Sequence, residues 1–261
     1  MLSREDYSDY CKRFRVIWNY LKSKSAPKRD VIFELCRIRG YDPERMYAIF
    51  DSQDVAFLES GSYDLSILKD SSFSDLGLLS SKGEFLLECR FILPIFDMLG
   101  NVIALVGYFN DEKKYITTPS RLFSKQVLFY GMEQLSMTGI NANYFFVEGI
   151  FDTLSLRSIG LNAIGTMGID TSKIKKVNYN LFNRFIAIPD NDKQGRKVLL
   201  EDEWQLPKGS SYFKWKDVPK GFNVKDIDDF VKLFDVSEAN SYFNGILNNV
   251  NDRVIEFSFK D

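Results

Sequence analysis

Apolar and polar positions change rhythm along this chain. In the first fifty residues the apolar positions recur at helical spacing. Val16, Ile17 and Leu21 mark one stripe, and Val31, Ile32, Leu35 and Ile38 mark a second, which Gly40 ends. Residues 51–84 are polar and serine-rich without a clear period, which predicts short helices and loops. The period then shortens. Cys89–Ile95 and Val102–Val106 read as a β-hairpin turning at Gly100–Asn101. Lys114–Thr117 reads as a third strand, ended by Pro119. Leu122–Leu135 crosses into the next unit, helical from Gly131.

Two further apolar runs, Tyr144–Val147 and Phe185–Pro189, are short and rich in aromatic and β-branched residues. Such runs mark strands buried on both faces of a parallel sheet. Between them Phe151–Ile159 predicts a helix closing at Gly160. Lys193–Trp204 predicts another helix, Ser211–Trp215 a strand, and Val224–Phe234 a polar turn followed by a helix. The tail from Ser237 predicts one more helix and a strand over Val254–Phe259. The expected fold class is α/β: a parallel sheet flanked by helices, preceded by a mixed helical and antiparallel-β (α+β) half. The expected divisions are 1–139, 140–236 and a short extension over 237–261.

Composition narrows the chemistry. With 261 residues, 45% of them apolar and 15% aromatic, the chain can build one large or two small cores. A net charge of −2 gives no global attraction to nucleic acid. Met1–Met46 departs from this: eleven Lys/Arg against seven Asp/Glu leave +4. That excess reads either as a solvated helical face or as contact with a nucleic-acid backbone. There is no histidine and no C-x-x-C pair. A zinc ribbon is therefore excluded, as are Ser–His and Cys–His catalysis. Cys11, Cys36 and Cys89 fit a reducing cytoplasm and read as core residues. No apolar run approaches the ~18 residues of a membrane span, and no signal-peptide core is present.

What remains is acid at strand ends. Glu148 follows the first central run, and Asp190 and Asp192 follow the second. That edge is where open α/β sheets bind ligands. Neighbouring strands lie about 4.8 Å apart, so carboxylates from both can share an ion. Hard oxygen donors suit magnesium or manganese. Asp152 stands one helical turn after Glu148 and can face the same way, and Gly149 lets backbone approach closely. A paired-metal carboxylate site is a common machine for phosphoryl transfer. Each acid also has a plain reading as solvated charge, and Asp226, Asp228 and Asp229 as acids favoured by a helix dipole.

The motifs resemble the Toprim fold, and within it the DnaG-type primases. Glu148-Gly149-Ile150-Phe151-Asp152 resembles the family's E-G-[YF]-[MF]-D. Asp190-Asn191-Asp192-Lys193-Gln194-Gly195-Arg196 resembles D-G-D-x-A-G-x, and Asp226-Ile227-Asp228-Asp229 resembles D-P-D-[TD]. Upstream, ECRFILPIFDMLGNVIALVGYF and KKYITTPSRLFSKQVLFYGMEQL are similar to two further primase patterns. The resemblance spans roughly Asp75–Val231. It implies an RNA-polymerase core, with a basic N-terminal subdomain beside a Toprim catalytic subdomain and single-stranded DNA between them.

By motif, Glu148, Asp190 and Asp192 would be catalytic and hold two or more Mg2+ or Mn2+ ions, with Asp152, Asp226 and Asp228 completing the metal site. Arg90, Lys114, Lys125, Lys193 and Arg196 would contact template or nucleotide. Ordinary surface charge is the plain reading of these five. The expected partners are single-stranded DNA, ribonucleoside triphosphates, and a replicative helicase or separate template-reading chain, in a bacterial or phage-infected cytoplasm; no membrane and no zinc are expected. The pattern departs from the family at the arginine of G-x-G-R, replaced by Tyr108 or Phe109, and at the asparagine of K-Y-x-N-S-P, which is Thr117. Lacking the family's zinc-binding domain, the layout resembles a compact phage or mobile-element primase, or a split one. The other readings are a Toprim nuclease, which shares the acids, and a non-catalytic accessory or loader subunit.

Overall fold

The computed structural model describes residues 3–52, 54–109, 114–118, 128–138, 142–167, 184–200, 206, 210–215, 224–249 and 254–257. The chain forms two compact units, Met1–Leu128 and Phe129–Asp261.

The first unit sets three helices with an antiparallel sheet. Helix α1 (Arg4–Lys24) starts where the Ser3 hydroxyl accepts the Asp6 N–H, with acids in its first turn and Lys22 and Lys24 in its last. It buries Tyr10, Phe14, Ile17, Trp18 and Leu21, one stripe at helical spacing. Val16 was expected on that stripe and is 56% exposed. It lies about 100° around the helix from Ile17, which carries it out of the buried face. Helix α2 (Lys28–Arg39) stops at Gly40, whose φ of 70° suits a residue without a Cβ. Helix α3 (Pro43–Ser52) follows.

The sheet runs β1 (Ala56–Phe57), β2 (Phe91–Phe96), β3 (Val102–Phe109), β4 (Lys114–Thr117), all antiparallel. The predicted hairpin is present, turning through Gly100 with Asp97 accepting the Leu99 and Asn101 N–H groups. The Tyr10 hydroxyl donates to the Ile103 carbonyl at 2.9 Å and ties α1 to β3. Between β1 and β2 lie a short helix, α4 (Leu65–Leu68), and a 3₁₀ turn, Ser71–Leu76. Cys89, expected in the core, is exposed just before β2.

The second unit is a parallel α/β layer. In chain order it runs α5 (Gln134–Thr138), β5 (Asn143–Val147), α6 (Ile150–Ser158), β6 (Ala163–Gly165), β7 (Arg184–Ile188), α7 (Lys193–Leu200), β8 (Ser211–Trp215), α8 (Ile227–Val231), α9 (Val236–Asn249) and β9 (Val254–Phe257). The helix expected from Gly131 begins only at Gln134, after a turn. The strands lie in the order β6-β5-β7-β8-β9, every neighbouring pair parallel. Strand β6 was not expected. On one face Phe145, Val147, Ile186, Ile188 and Phe213 pack with residues of α6, α8 and α9 in one core. On the other, Phe146 stacks near Phe185, their ring centroids 3.8 Å apart. Among the described residues no helix is long and apolar enough to cross a membrane.

Candidate active site

The order of this sheet selects one place for a ligand. From β5 the chain moves to β6 on one side, then returns to β7 on the other. The connections therefore part between β5 and β7, and a crevice opens beyond their carboxyl ends. Val147 pairs with Ile188 at that end, so Glu148 and Asp190 emerge side by side. The Asp190 N–H donates to Glu148 Oε1 at 3.0 Å. The acids the sequence singled out are neighbours here.

Asp152 is the third residue of α6 beyond its cap and reaches back to accept the Gly149 N–H at 2.9 Å, half of a capping box. Its other oxygen accepts the Asp228 N–H at 3.1 Å. Asp152 thus ties the E-G-x-x-D turn to the start of α8. Asp228 is 1% exposed. One of its oxygens accepts the Ser155 hydroxyl and the other meets the Lys232 ammonium at 2.7 Å. Asp226 caps α8 by accepting the Asp229 N–H at 2.8 Å. Asp192 is exposed and accepts the Gly195 N–H at 2.7 Å.

Two glycines are required by close approach. A Cβ on Gly195 would collide with the Asp190 carbonyl, and one on Gly149 with the Asp152 carboxylate. The first motif turn packs backbone against carboxylate and the second packs backbone against backbone, with no room for a methyl group in either.

So much buried acid is electrostatically costly. Burial, opposed by the Asp190 N–H and helped by the charge of Asp192, pushes Glu148 up to about 7. Burial and then the charges of Glu148, Asp152, Asp226 and Asp192 push Asp190 up to about 9. Burial and the neighbouring Asp226 and Asp228 raise Asp152, and burial raises Asp226. Desolvation and like charge both favour the protonated form, and a cation among these oxygens relieves both. Among the described residues no three of these side chains stand ready-made as a coordination group. The donor set is nevertheless right for a hard divalent ion, since it offers carboxylate oxygens whose mutual repulsion such an ion removes.

The cationic candidates are dispersed. Lys193 and Arg196 are exposed in the first turn of α7, directly after Asp192. Arg90 belongs to the first unit, its guanidinium 5.2 Å from the Phe109 ring and its Nη1 buried without a hydrogen-bond partner among the described residues. A Cβ on Gly107 would come within 2.8 Å of the Arg90 side chain, so that glycine makes room for it. Lys114 opens β4, and Lys125 lies outside the described residues.

Sequence reasoning missed the supports. Asn191, Trp215, Ser155 and Lys232 all brace acid-bearing turns. Elsewhere in the unit a buried staple joins α6 to the turn before α5: Arg157 pairs with Glu133 at 2.9 Å and donates to the Gly131 carbonyl. Apart from Lys232 and Asp228, which stand four residues apart, these partners are far apart in sequence and no local pattern links them.

Residues 145–231 match a protein family described as Toprim-like. The chain is similar to the structure of the DnaG primase catalytic domain bound to ssDNA, with a TM-score of 0.72 at 21% identity, over 95% of this chain and 86% of that one. The fold is that of the DnaG-type primase catalytic core. The Aquifex aeolicus primase, solved with its zinc-binding and RNA polymerase domains, matches the primase-core fold with a TM-score of 0.61 at 26% identity, over 81% of this chain and 55% of that one. In sequence, a DNA primase of Clostridium acetobutylicum is 27% identical over 181 residues, 64% of this chain. The match spans 30% of that relative's length. The Toprim-like match runs from β5 to the end of α8 and takes in all six acids.

Proposed function

We propose that this chain is the catalytic core of a DNA primase, joining ribonucleoside triphosphates into short RNA on a single-stranded DNA template. The observation that carries the reading is Glu148 against Asp190 at the point where the sheet's connections part, ringed by Asp152, Asp192 and Asp226.

Glu148, Asp190 and Asp192 would hold the ions, with Asp226 beside them. Divalent ions bound there supply Lewis acidity to the attacking 3′-hydroxyl and charge neutralisation to the leaving pyrophosphate. The chain's own part is placement. Asp152 and Asp228 lock the E-G-x-x-D turn to α8 and keep the donors in register. Glu148 and Asp190 give up protons as the site loads, because ion binding needs the carboxylates that burial disfavours. Lys193 and Arg196, exposed directly after Asp192, would grip triphosphate oxygens, and the Nη1 of Arg90, without a partner among the described residues, supports a contact with phosphate or template. No histidine base is needed, in keeping with a chain that has none. A helicase or a separate template-reading chain is the expected partner.

Incubation of the purified chain with single-stranded DNA, four ribonucleotides and Mg2+ or Mn2+ tests the reading. Template-dependent oligoribonucleotides support it. Shortened DNA means a nuclease, and no product means an accessory subunit. Asp190→Ala with Asp192→Ala should abolish synthesis while leaving the circular dichroism spectrum and a cooperative melting transition in place.

A further inference from the structure

The turn that carries Asp190 and Asp192 is held by the residue between them. The Asn191 N–H donates to the Lys225 carbonyl at 2.6 Å, and the Asn191 side-chain Nδ2 donates to the Val224 carbonyl at 3.0 Å. Both acceptors lie immediately before Asp226. From the β8 side, Trp215 Nε1 donates to the Pro189 carbonyl at 2.7 Å. The two acid-bearing turns are thus joined by a two-point clamp, and the first is fixed again by an indole. Backbone conformation does not explain the residue, since Asn191 does not adopt positive φ. Its amide donor is what the site uses.

We infer that Asn191 is a positioning residue: its side chain fixes the Asp190–Asp192 turn against the Asp226 turn and so sets how tightly the acids bind a divalent cation. The inference rests on the reading of those acids as an ion site. The main-chain bond to Lys225 survives any substitution at Asn191 other than proline, so removing the side chain loosens one point of the clamp without releasing the turn. Like charges then move apart, and the ion must pull them back when it binds.

The test is Mn2+ titration of the full-length chain, following free Mn2+ by electron paramagnetic resonance, for the wild type, Asn191→Ala and Asn191→Gly. Urea midpoints are measured alongside. Loss of one buried hydrogen bond predicts a roughly two- to tenfold weaker Mn2+ dissociation constant in both variants. In primer synthesis the apparent KM for Mn2+ should rise by the same factor while kcat at saturating Mn2+ stays within about twofold, a split that a general loss of stability does not produce. Variants that fold and bind Mn2+ as tightly as the wild type overturn the clamp and leave the ion site standing. A fall in kcat with unchanged KM overturns it too. A wild type that binds no Mn2+ overturns the ion site and the clamp with it.

Discussion

Glu148→Gln should stabilise the ion-free protein at neutral and higher pH. Glu148 is 9% exposed, and its Oε1 accepts the Asp190 N–H. Burial holds its pKa at about 7, against about 4.3 for a solvated glutamate. In the unfolded chain it therefore ionises near pH 4, and in the folded chain only near 7. Between those values the folded state binds the extra proton, so stability present at pH 4 is lost progressively as pH rises through 7. At about 1.4 kcal/mol per pH unit, the shift from about 4.3 to about 7 makes the loss approach 4 kcal/mol, and partial solvent access at the strand end reduces it to about 2–3 kcal/mol. Net stability of a domain is on the order of 5–15 kcal/mol, and each kcal/mol moves the melting temperature by about 2–4 °C at this size. About 70% of that loss falls between pH 5 and pH 8, so Glu148 alone should lower the melting temperature by roughly 3–8 °C over that interval. Glutamine keeps the carbonyl acceptor and never ionises. In EDTA, calorimetric melts of E148Q should fall less steeply with pH than the wild type and lie above it at pH 8. Asp190 contributes to the slope in both proteins, and because the charge of Glu148 is one cause of its raised value, the difference between the curves reports Glu148 together with its effect on Asp190. Parallel curves would refute the reasoning.

Other consequences follow from the packing. Gly195→Ala drives a methyl group into the Asp190 carbonyl, so the D-x-D turn must move; Mn2+ affinity and primer synthesis should fall more than about tenfold at a stability cost of about 1–3 kcal/mol, read by titration and urea melts. Arg157→Met removes the cation paired with the buried Glu133 and should cost about 3–5 kcal/mol, whereas the double variant with Glu133→Leu should recover much of that loss in the same melt.

Sequence pattern gave most of the helices and strands because burial on one or two faces leaves a period. Helix α1 was visible from its apolar stripe, and β5 and β7 from continuous apolar runs. Strand β6 was not, because three residues carry no period and its existence depends on pairing with β5. Val16 and Cys89 were misplaced because side-chain identity says apolar but not which way the backbone turns it. The acids at strand ends were legible, since their position follows from where strands stop. The clamp by Asn191, the indole of Trp215 and the Ser155–Asp228 bond were not, since each depends on segments brought together only by the fold.

The central claim is that separate acidic turns form one divalent-ion site. Anomalous scattering from a crystal soaked in Mn2+ tests it most directly. The account predicts density in contact with the carboxylates of Glu148, Asp190 and Asp192. Manganese bound elsewhere, with that crevice empty and the Glu148 carboxylate turned away from Asp190, would contradict it.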